Sequence, residues 1–358
     1  MTMSVDIWPS LQQIPGRFER LFTAGENSSL FTSKDWWQLI TEHGFAEQPA
    51  PLFVTVEDST GPIMIWPLRH PGANEPKAWR TLANYYSPSY APVISPEADE
   101  AICRQAFCAA TKAILSAVPG YPVICLDPIA TGPATGPNWA VQARLGLRDT
   151  GLSTIWSRLE ESWSMDVDGV SPGAYYKALP GSLRNTIRRK IQQAEKLGQI
   201  EMELALDSSH AQELVPIFEQ VYAASWKPTE PDPSFMTDLA ALCADRDALK
   251  IGILSLNDEP IAAQFWIMDR DRTALLYKLA HDETQADLSP GTLLTWHMIE
   301  ALLETGDPKQ LNFGRGSEPY KSQWMPQRQS VYRLQAFRLS NARGLFSYIR
   351  TRASGLFS

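Results

Sequence analysis

The sequence is poor in cysteine and histidine, and neither residue type is arranged as a metal site. Its four cysteines form no CxxC pair, and its five histidines form no HExxH motif. A zinc site needs clustered ligands at short spacing, and a chain of this size does not call for a disulfide framework. We therefore expect no metal and no tightly bound cofactor.

Long apolar runs and an excess of positive charge are also missing. No stretch approaches the roughly 18 apolar residues of a membrane span. The N-terminus (MTMSVDIWPSLQQ) has no basic region followed by an apolar run, which argues against a signal peptide. The net charge of −8 disfavours nucleic-acid binding, because that affinity rests mainly on Lys and Arg. We expect a cytoplasmic protein with no nucleic-acid partner.

What the sequence does contain is typical of a soluble protein with two domains. The chain has 358 residues, of which 44% are hydrophobic and 20% charged. A pattern of three strands, a helix and a strand appears twice. The first copy runs from PLFVTVE to YPVICLD, and the second from LKIGILSL to KQLNFG, with a late strand at VYRLQAF. Loop-like stretches, ATGPATGPNW and DVDGVSPG, separate the copies.

The helix of the second copy is the clearest single element. In SPGTLLTWHMIEALLETG, Ser289 fits the N-cap, Pro290 the first helical position and Gly306 the C-terminal stop. A helix N-terminus offers unpaired N–H groups and a positive dipole end, which suit a phosphate. One apolar face of this helix carries Leu294, Met298 and Leu302.

Several stretches together resemble one family. YKLAHDETQADLSPGTLL and LNFGRGSEPYKSQWM, preceded by LRNTIRRKIQQAE and ASWK, are similar to the double-module GNAT acyltransferases of the Fem and CelD type. The resemblance covers about residues 170 to 340 and implies an α+β (mixed α/β) fold. It implies two tandem GNAT modules, residues 1–168 and 169–358, each with a mixed, mostly antiparallel sheet flanked by helices, and the site in the second.

The resemblance also implies an activity. Family members are N-acyltransferases that use acyl-CoA, or aminoacyl-tRNA in the peptidoglycan-building branch. We expect acyl-CoA as co-substrate and a primary amine as acceptor, such as an amino sugar, an amino acid or a lipid amine. A Fem-type transferase that uses aminoacyl-tRNA is the alternative. A non-catalytic binding protein in envelope assembly is another, because Asn312 and Ser317 stand where the family has acids, and His281 replaces its usual aromatic residue.

The resemblance assigns acyl-CoA to the start of the second-copy helix. Gly291 lets a phosphate approach closely, and the neighbouring hydroxyls can donate hydrogen bonds. Arg315 can bind a phosphate or carboxylate through two parallel hydrogen bonds, and Gln264 is a candidate for holding the acyl carbonyl or pantetheine. The expected acyl-CoA-binding residues are Ser289, Gly291, Thr292, Gln264 and Arg315.

Four residues are candidates for the chemistry of amide formation. Lys321 is expected to stabilise the oxyanion or bind a substrate phosphate, and Tyr320 either donates to the leaving sulfur or packs under the cleft. His281 is a candidate general base; the alternative is that it is a loop histidine without a catalytic role. Asp282 either orients His281 or accepts the amine.

Acceptor binding is assigned to residues flanking these. Glu318 is the carboxylate best placed for a cationic amine, and Trp226 with Lys227 forms an expected wall on the acceptor side. Trp324 completes this set, while the basic helix with Arg184 and Arg188 either attracts an acidic group or is simply solvated.

The C-terminal stretch NARGLFSYIRTRASGLFS interleaves arginines with apolar residues. On a helix this makes a basic amphipathic face. Such a face either lies on an anionic membrane or docks on the protein's own surface. The membrane-bound alternative predicts peripheral contact with the inner membrane.

Overall fold

A computed structural model describes residues 2–45, 50–130, 139–197, 200–228 and 230–354. Two compact units are present: Met1–Glu160 with Gln329–Ser358, and Glu161–Arg328. The sequence prediction divided the chain after residue 168 and gave the C-terminal segment to the second module. In the structure the division follows Glu160, and the C-terminal segment returns to the first unit. Most of the predicted loop ATGPATGPNW lies outside the described residues.

The strands are numbered in chain order. They are β1 (Ser4–Trp8), β2 (Pro51–Asp58), β3 (Gly61–Arg69), β4 (Trp79–Thr81), β5 (Val93–Ile94), β6 (Val123–Ala130), β7 (Ser153–Asp166), β8 (Ile200–Ala205), β9 (Leu249–Leu256), β10 (Glu259–Met268), β11 (Thr273–His281), β12 (Gln310–Arg315) and β13 (Gln327–Phe337).

The α-helices are numbered in the same way. They are α1 (Glu19–Ser28), α2 (Lys34–His43), α3 (Glu100–Ala117), α4 (Trp139–Asp149), α5 (Pro172–Ala178), α6 (Gly181–Leu197), α7 (Ser208–Glu213), α8 (Val215–Ala224), α9 (Ser234–Ala244), α10 (Pro290–Thr305), α11 (Lys321–Trp324) and α12 (Ala342–Ser354).

Each unit contains the predicted order of a meander, a helix and a further strand. In the first unit, β2, β3 and β4 pair antiparallel, α3 follows, and β6 pairs parallel with β4. In the second unit, β9, β10 and β11 pair antiparallel, α10 follows, and β12 pairs parallel with β11. A parallel neighbour needs such a crossover, which explains why a helix separates the last two strands.

Helix α10 packs closely on the sheet of the second unit. Its predicted apolar face is confirmed, because Leu294, Met298 and Leu302 are at most 1% exposed. Gly252 on β9 allows the approach, since a Cβ there would lie 2.6 Å from the Met298 sulfur. Pro290 occupies the first turn and Gly306 ends the helix in the left-handed conformation, as predicted.

Three other segments complete the comparison of the local structure with the sequence pattern. The segment before Trp226 forms two helices, because α7 ends at Glu213 and α8 begins at Val215 with a proline in its first turn. The third strand region of the first copy shrinks to the short β4 and β5. The C-terminal helix is present as α12, while Leu356 and Phe357 lie outside the described residues.

Among the described residues, no helix combines the length and the apolar character that crossing a bilayer requires.

Candidate functional site

The parallel strands β11 and β12 separate from each other along their length. Their register runs from Thr273↔Gln310 to Leu275↔Asn312, and within these described strands no further pair is formed. Strand β11 nevertheless continues to His281, still paired with β10 on its other side. Backbone groups on the facing edges of β11 and β12 are therefore left for another partner beyond the third pair.

The turn of β12 away from β11 has a local cause. The side-chain oxygen of Asn312 accepts a hydrogen bond of 2.7 Å from the N–H of Gly314. Gly314 has φ +66°, a conformation that glycine adopts without a Cβ clash. Two bonds to β7 then hold Gly316: its N–H donates to the Glu161 carbonyl at 2.8 Å, and its carbonyl accepts from the Trp163 indole at 3.0 Å.

The start of α10 lies at the end of a 3-10 turn over Glu283–Leu288. Ser289 has φ 50° and ψ 54°, so it reverses the chain into α10, but its side chain makes no capping bond. Its carbonyl accepts from the N–H of Thr292 at 2.9 Å. Pro290 has no N–H, and the Gly291 N–H has no partner in the described part of the chain. The groups left to bind a phosphate at this helix start are thus the Gly291 amide and the hydroxyls of Ser289 and Thr292.

His281 lies over this helix start. A Cβ on Gly291 would come within 3.3 Å of the His281 Nδ1, so the glycine lets the imidazole pack against the helix. The ring of Trp226 also packs against His281, with centroids 4.4 Å apart. Nδ1 is buried and has no hydrogen-bond partner among the described residues. Burial lowers the pKa of His281 below its ordinary value of 6.5, so the imidazole is neutral at pH 7.

Lys227 links the two sides of this cleft electrostatically. Its ammonium lies 5.2 Å from the centroid of the Trp226 ring, a cation–π contact. The same charge contributes to lowering the pKa of His281 and of Glu318. Trp226 and Lys227 therefore lie near His281 and Glu318, which come from two other parts of the sequence.

Glu318 and Lys321 form an ion pair behind β12. Their closest atoms, Nζ and Oε2, are 3.0 Å apart, and Lys321 also donates to the Arg315 carbonyl at 2.5 Å. Lys321 is 4% exposed, whereas the Glu318 side chain is 56% exposed. Partial burial opposes ionisation of Glu318, but bonds from its own backbone amide and from Lys321 outweigh it and lower its pKa.

Tyr320 lies between Glu318 and the core. Its ring packs 6.3 Å from that of Phe313, and it keeps 39% of its surface exposed. Burial, and secondarily the charge of Glu318, raise the pKa of Tyr320 above its ordinary value of 10.0. The phenol therefore stays protonated and can donate a hydrogen bond near neutral pH.

The structure corrects two assignments made from the sequence. Gln264 is 1% exposed, and both its polar atoms are used inside the core, by Thr295 at 2.7 Å and Trp266 at 2.9 Å. Trp324 is 4% exposed and packs on Phe313, so it belongs to the core. Asp282 accepts two bonds from Thr284, at 2.8 and 2.7 Å, and its predicted role towards His281 or the amine stays a prediction.

Arg184 and Arg188 are on a different surface. Arg188 lines a groove of about 500 Å³ between α6 and α10, together with Ile187, Tyr176 and Trp296. The Nε of Arg184 is buried and has no partner within the described residues. The structure brings neither arginine to His281, and connects α6 to the site through Lys190, which donates to the Asp287 carbonyl before α10.

Sequence reasoning did not select a buried pair beside this cleft. The Lys278 ammonium lies 2.5 Å from Glu230 and 3.3 Å from the Tyr222 hydroxyl. The side chains of Lys278 and Glu230 are 14% and 10% exposed. Burial lowers the pKa of Lys278, although Glu230 acts in the opposite direction. Lys278 itself could have been selected, since it is the lysine of the YKLA stretch. Its pairing with Glu230, on a loop distant in the sequence, could not be predicted from the sequence.

Comparisons with known proteins agree with this architecture. The family model described as "Acetyltransferase (GNAT) domain" matches residues 181–322. A comparison with curated protein sequences finds no match.

Solved structures share the fold at low sequence identity. FemX aligns with a TM-score of 0.57 at 9% identity, covering 92% of this chain and 97% of its own. A conserved protein of unknown function from Bacteroides thetaiotaomicron aligns at 0.53 and 12%, covering 93% and 100%. A tandem GNAT protein from the clavulanic acid biosynthesis pathway aligns at 0.51 and 11%, covering 92% and 98%. Residues 181–322 are thus a GNAT domain, and the chain as a whole shares the fold of FemX and of the tandem GNAT protein.

Proposed function

We propose that this protein is an N-acyltransferase that moves an acyl group from an acyl-CoA thioester to a primary amine. The observation that carries the proposal is the separation of β11 from β12 next to the start of α10. An extended pantetheine arm can hydrogen-bond to the free strand edges there. The free Gly291 amide and the hydroxyls of Ser289 and Thr292 suit the pyrophosphate.

The cations near this opening suit the phosphates of the same donor. Lys227 is placed by its contact with Trp226, and Arg315 ends β12. Both can neutralise an anion without being part of the reaction.

The acceptor is proposed to bind through Glu318. Its carboxylate is half-exposed, its pKa is lowered, and it is anchored by the buried Lys321. An ionised carboxylate at the cleft favours a cationic ammonium group. The pKa of an ordinary amine is high, so the bound ammonium must lose a proton before it attacks.

His281 is proposed to take that proton. Its lowered pKa keeps it neutral, and its position between Trp226 and Gly291 places it at the strand separation. The neutral nitrogen then attacks the thioester carbonyl, the N–C bond forms, and the C–S bond breaks. The thiolate leaves as CoA and takes a proton from the Tyr320 phenol. The attacking nitrogen gives its second proton to the resulting phenolate, so an amide, a free thiol and the phenol are left.

Lys321 keeps a narrower role in this proposal than the sequence suggested. Its bonds to Glu318 and to the Arg315 carbonyl make it a residue that positions the 315–321 loop. We therefore propose that Lys321 mainly anchors Glu318, and that its stabilisation of the oxyanion is a secondary role.

A thiol-release assay tests the proposal. The protein is incubated with acyl-CoAs of increasing chain length and with amino sugars, amino acids and lipid amines, and free CoA and the amide product are measured. Amide formation that depends on both substrates supports the proposal. Capture of charged tRNA on a filter at moderate salt, with no thiol release from any acyl-CoA, would instead support the tRNA-dependent alternative.

A further inference from the structure

A second ligand-sized cavity lies within the first unit, on the sheet face opposite its main core. Along β6 and β13, one set of side chains, including Ile124 and Leu334, faces the core shared with α3. The alternate set, including Cys125, Arg333 and Phe337, faces a cavity of about 750 Å³ that α12 covers. The space is therefore bounded by a sheet face and a helix of the same unit.

The lining of this cavity is strongly basic. Five cations line it against one carboxylate, Glu75. Two of them are compensated: Arg80 lies 3.4 Å from Glu75, and Arg333 pairs with Asp127. The remaining three have no ion-pair partner among the described residues; they are Lys77, Arg343 and Arg350. Such a cluster in a chain of net charge −8 suits a bound anion.

Helix α12 presents apolar side chains outward. Leu345, Phe346 and Ile349 are 42%, 68% and 57% exposed. Leu345 and Ile349 are four residues apart and share a face, while Phe346 lies both at the surface and at the cavity lining. Exposed apolar residues next to unpaired arginines are typical of a helix that lies in a membrane interface.

The helix is held in this orientation by contacts on its inner side. The Tyr348 ring packs edge-on against Phe337, with centroids 5.6 Å apart. A Cβ on Gly344 would come within 2.2 Å of the Arg338 carbonyl oxygen, so only glycine allows this seating. The face of α12 with Gly344 and Tyr348 thus packs on the protein's own surface. The face with Leu345 and Ile349 stays uncovered.

We propose that α12 docks on an anionic membrane and that the cavity beneath it takes the phosphate-bearing headgroup of an acidic phospholipid. Leu345, Phe346 and Ile349 enter the interface between headgroups and acyl chains. Arg343 and Arg350, at the cavity wall, reach the lipid phosphate from below. The inference concerns the first unit alone and does not depend on the transfer reaction proposed for the second.

Vesicle co-sedimentation of the full chain tests the proposal. Vesicles of phosphatidylcholine with and without phosphatidylglycerol are compared at low and high salt. We expect roughly tenfold or stronger preference for the anionic vesicles, because each Lys or Arg near an anionic surface contributes to binding, and we expect salt to weaken it. Equal binding to both vesicle types, or no binding, would overturn the proposal.

Matched variants separate charge from apolar insertion. Arg343→Ala with Arg350→Ala should remove the anionic preference, whereas Arg148→Ala, an exposed arginine on α4, should leave it intact. Leu345→Ser with Ile349→Ser should weaken binding to anionic vesicles, whereas Leu197→Ser, which is 52% exposed on α6, should not. Thermal unfolding checks that each variant folds. An equal loss in the Arg148 or Leu197 control would contradict the assignment.

A titration with soluble phosphates distinguishes a lipid phosphate from a soluble one. Inorganic phosphate and glycerol phosphate are titrated while the unfolding temperature is followed. Stabilisation by these ions that Arg343→Ala with Arg350→Ala abolishes, without any vesicle binding, would mean that the cavity serves a soluble phosphate ester and that the membrane proposal is wrong.

Discussion

The imidazole of His281 packs against the indole of Trp226, with ring centroids 4.4 Å apart and planes inclined by 55°. The imidazole also lies against the start of α10, where a Cβ on Gly291 would come within 3.3 Å of Nδ1. These contacts bury part of the ring, and burial favours its neutral form by lowering its pKa. A neutral imidazole at the separation of two strands is the feature that gives the proposed chemistry its base.

The first prediction concerns this base. His281→Gln should lower kcat by about 10²- to 10⁴-fold, the usual contribution of a general base. The wild-type rate should fall as the pH drops through the lowered pKa, below 6.5, because protonated imidazole cannot accept a proton. This acidic limb should be missing in the variant, while a limb due to the amine substrate is common to both. An unchanged profile in His281→Gln would remove the histidine from the chemistry.

The second prediction concerns recognition of the acceptor. Glu318→Gln should raise the KM for the amine by about ten- to a hundredfold, as expected for a charge-assisted hydrogen bond worth about 1.5–3 kcal/mol. The KM for the acyl-CoA should stay the same. Glu304→Gln, an exposed carboxylate at the far end of α10, is the matched control. A larger effect on the donor than on the amine would contradict the role given to Glu318.

The third prediction concerns the buried pair of Lys278 and Glu230. Glu230→Gln should lower the free energy of unfolding by about 3–5 kcal/mol, since it leaves a buried ammonium without its counter-charge. Adding Lys278→Met to the same chain should recover much of the loss. Chemical denaturation of the single and double variants measures both values. A single variant within about 1 kcal/mol of the wild type would show that the pair is not a structural element.

The fourth prediction distinguishes a core role from a ligand role for Gln264. Gln264→Leu should lower the free energy of unfolding by about 1–3 kcal/mol, because the buried Trp266 N–H loses its acceptor. The KM for acyl-CoA should change little at a temperature where the variant is folded. A selective rise in that KM, with stability unchanged, would restore the expectation formed from the sequence.

Local sequence was sufficient for the elements around the site and insufficient for the direction of side chains. The alternation in LKIGILSL and IAAQFWIM predicted β9 and β10, and the proline and glycine at the ends of α10 predicted its limits. The same reasoning placed Gln264 and Trp324 at a ligand, although both point into the core. Burial depends on which face of a strand or turn meets α10, and that is decided by residues distant in the sequence.

Long-range pairing explains the other differences. Strand β13 pairs with β6 more than two hundred residues earlier in the chain (for example Phe337↔Val123), so the C-terminal segment joins the first unit. The contact of Trp226 with His281 and the pair of Lys278 with Glu230 likewise join separate segments. No periodicity or motif within either segment specifies such a contact.

The central claim is that an acyl-CoA binds at the separation of β11 and β12, and thermal unfolding with added ligand tests it most directly. The unfolding temperature of the full chain is measured with CoA and with acyl-CoAs of increasing chain length. A ligand present at a hundred times its Kd should stabilise the folded protein by about 2.7 kcal/mol. We predict a rise with acyl-CoA that Lys227→Ala reduces. No rise with CoA or any thioester would contradict the account.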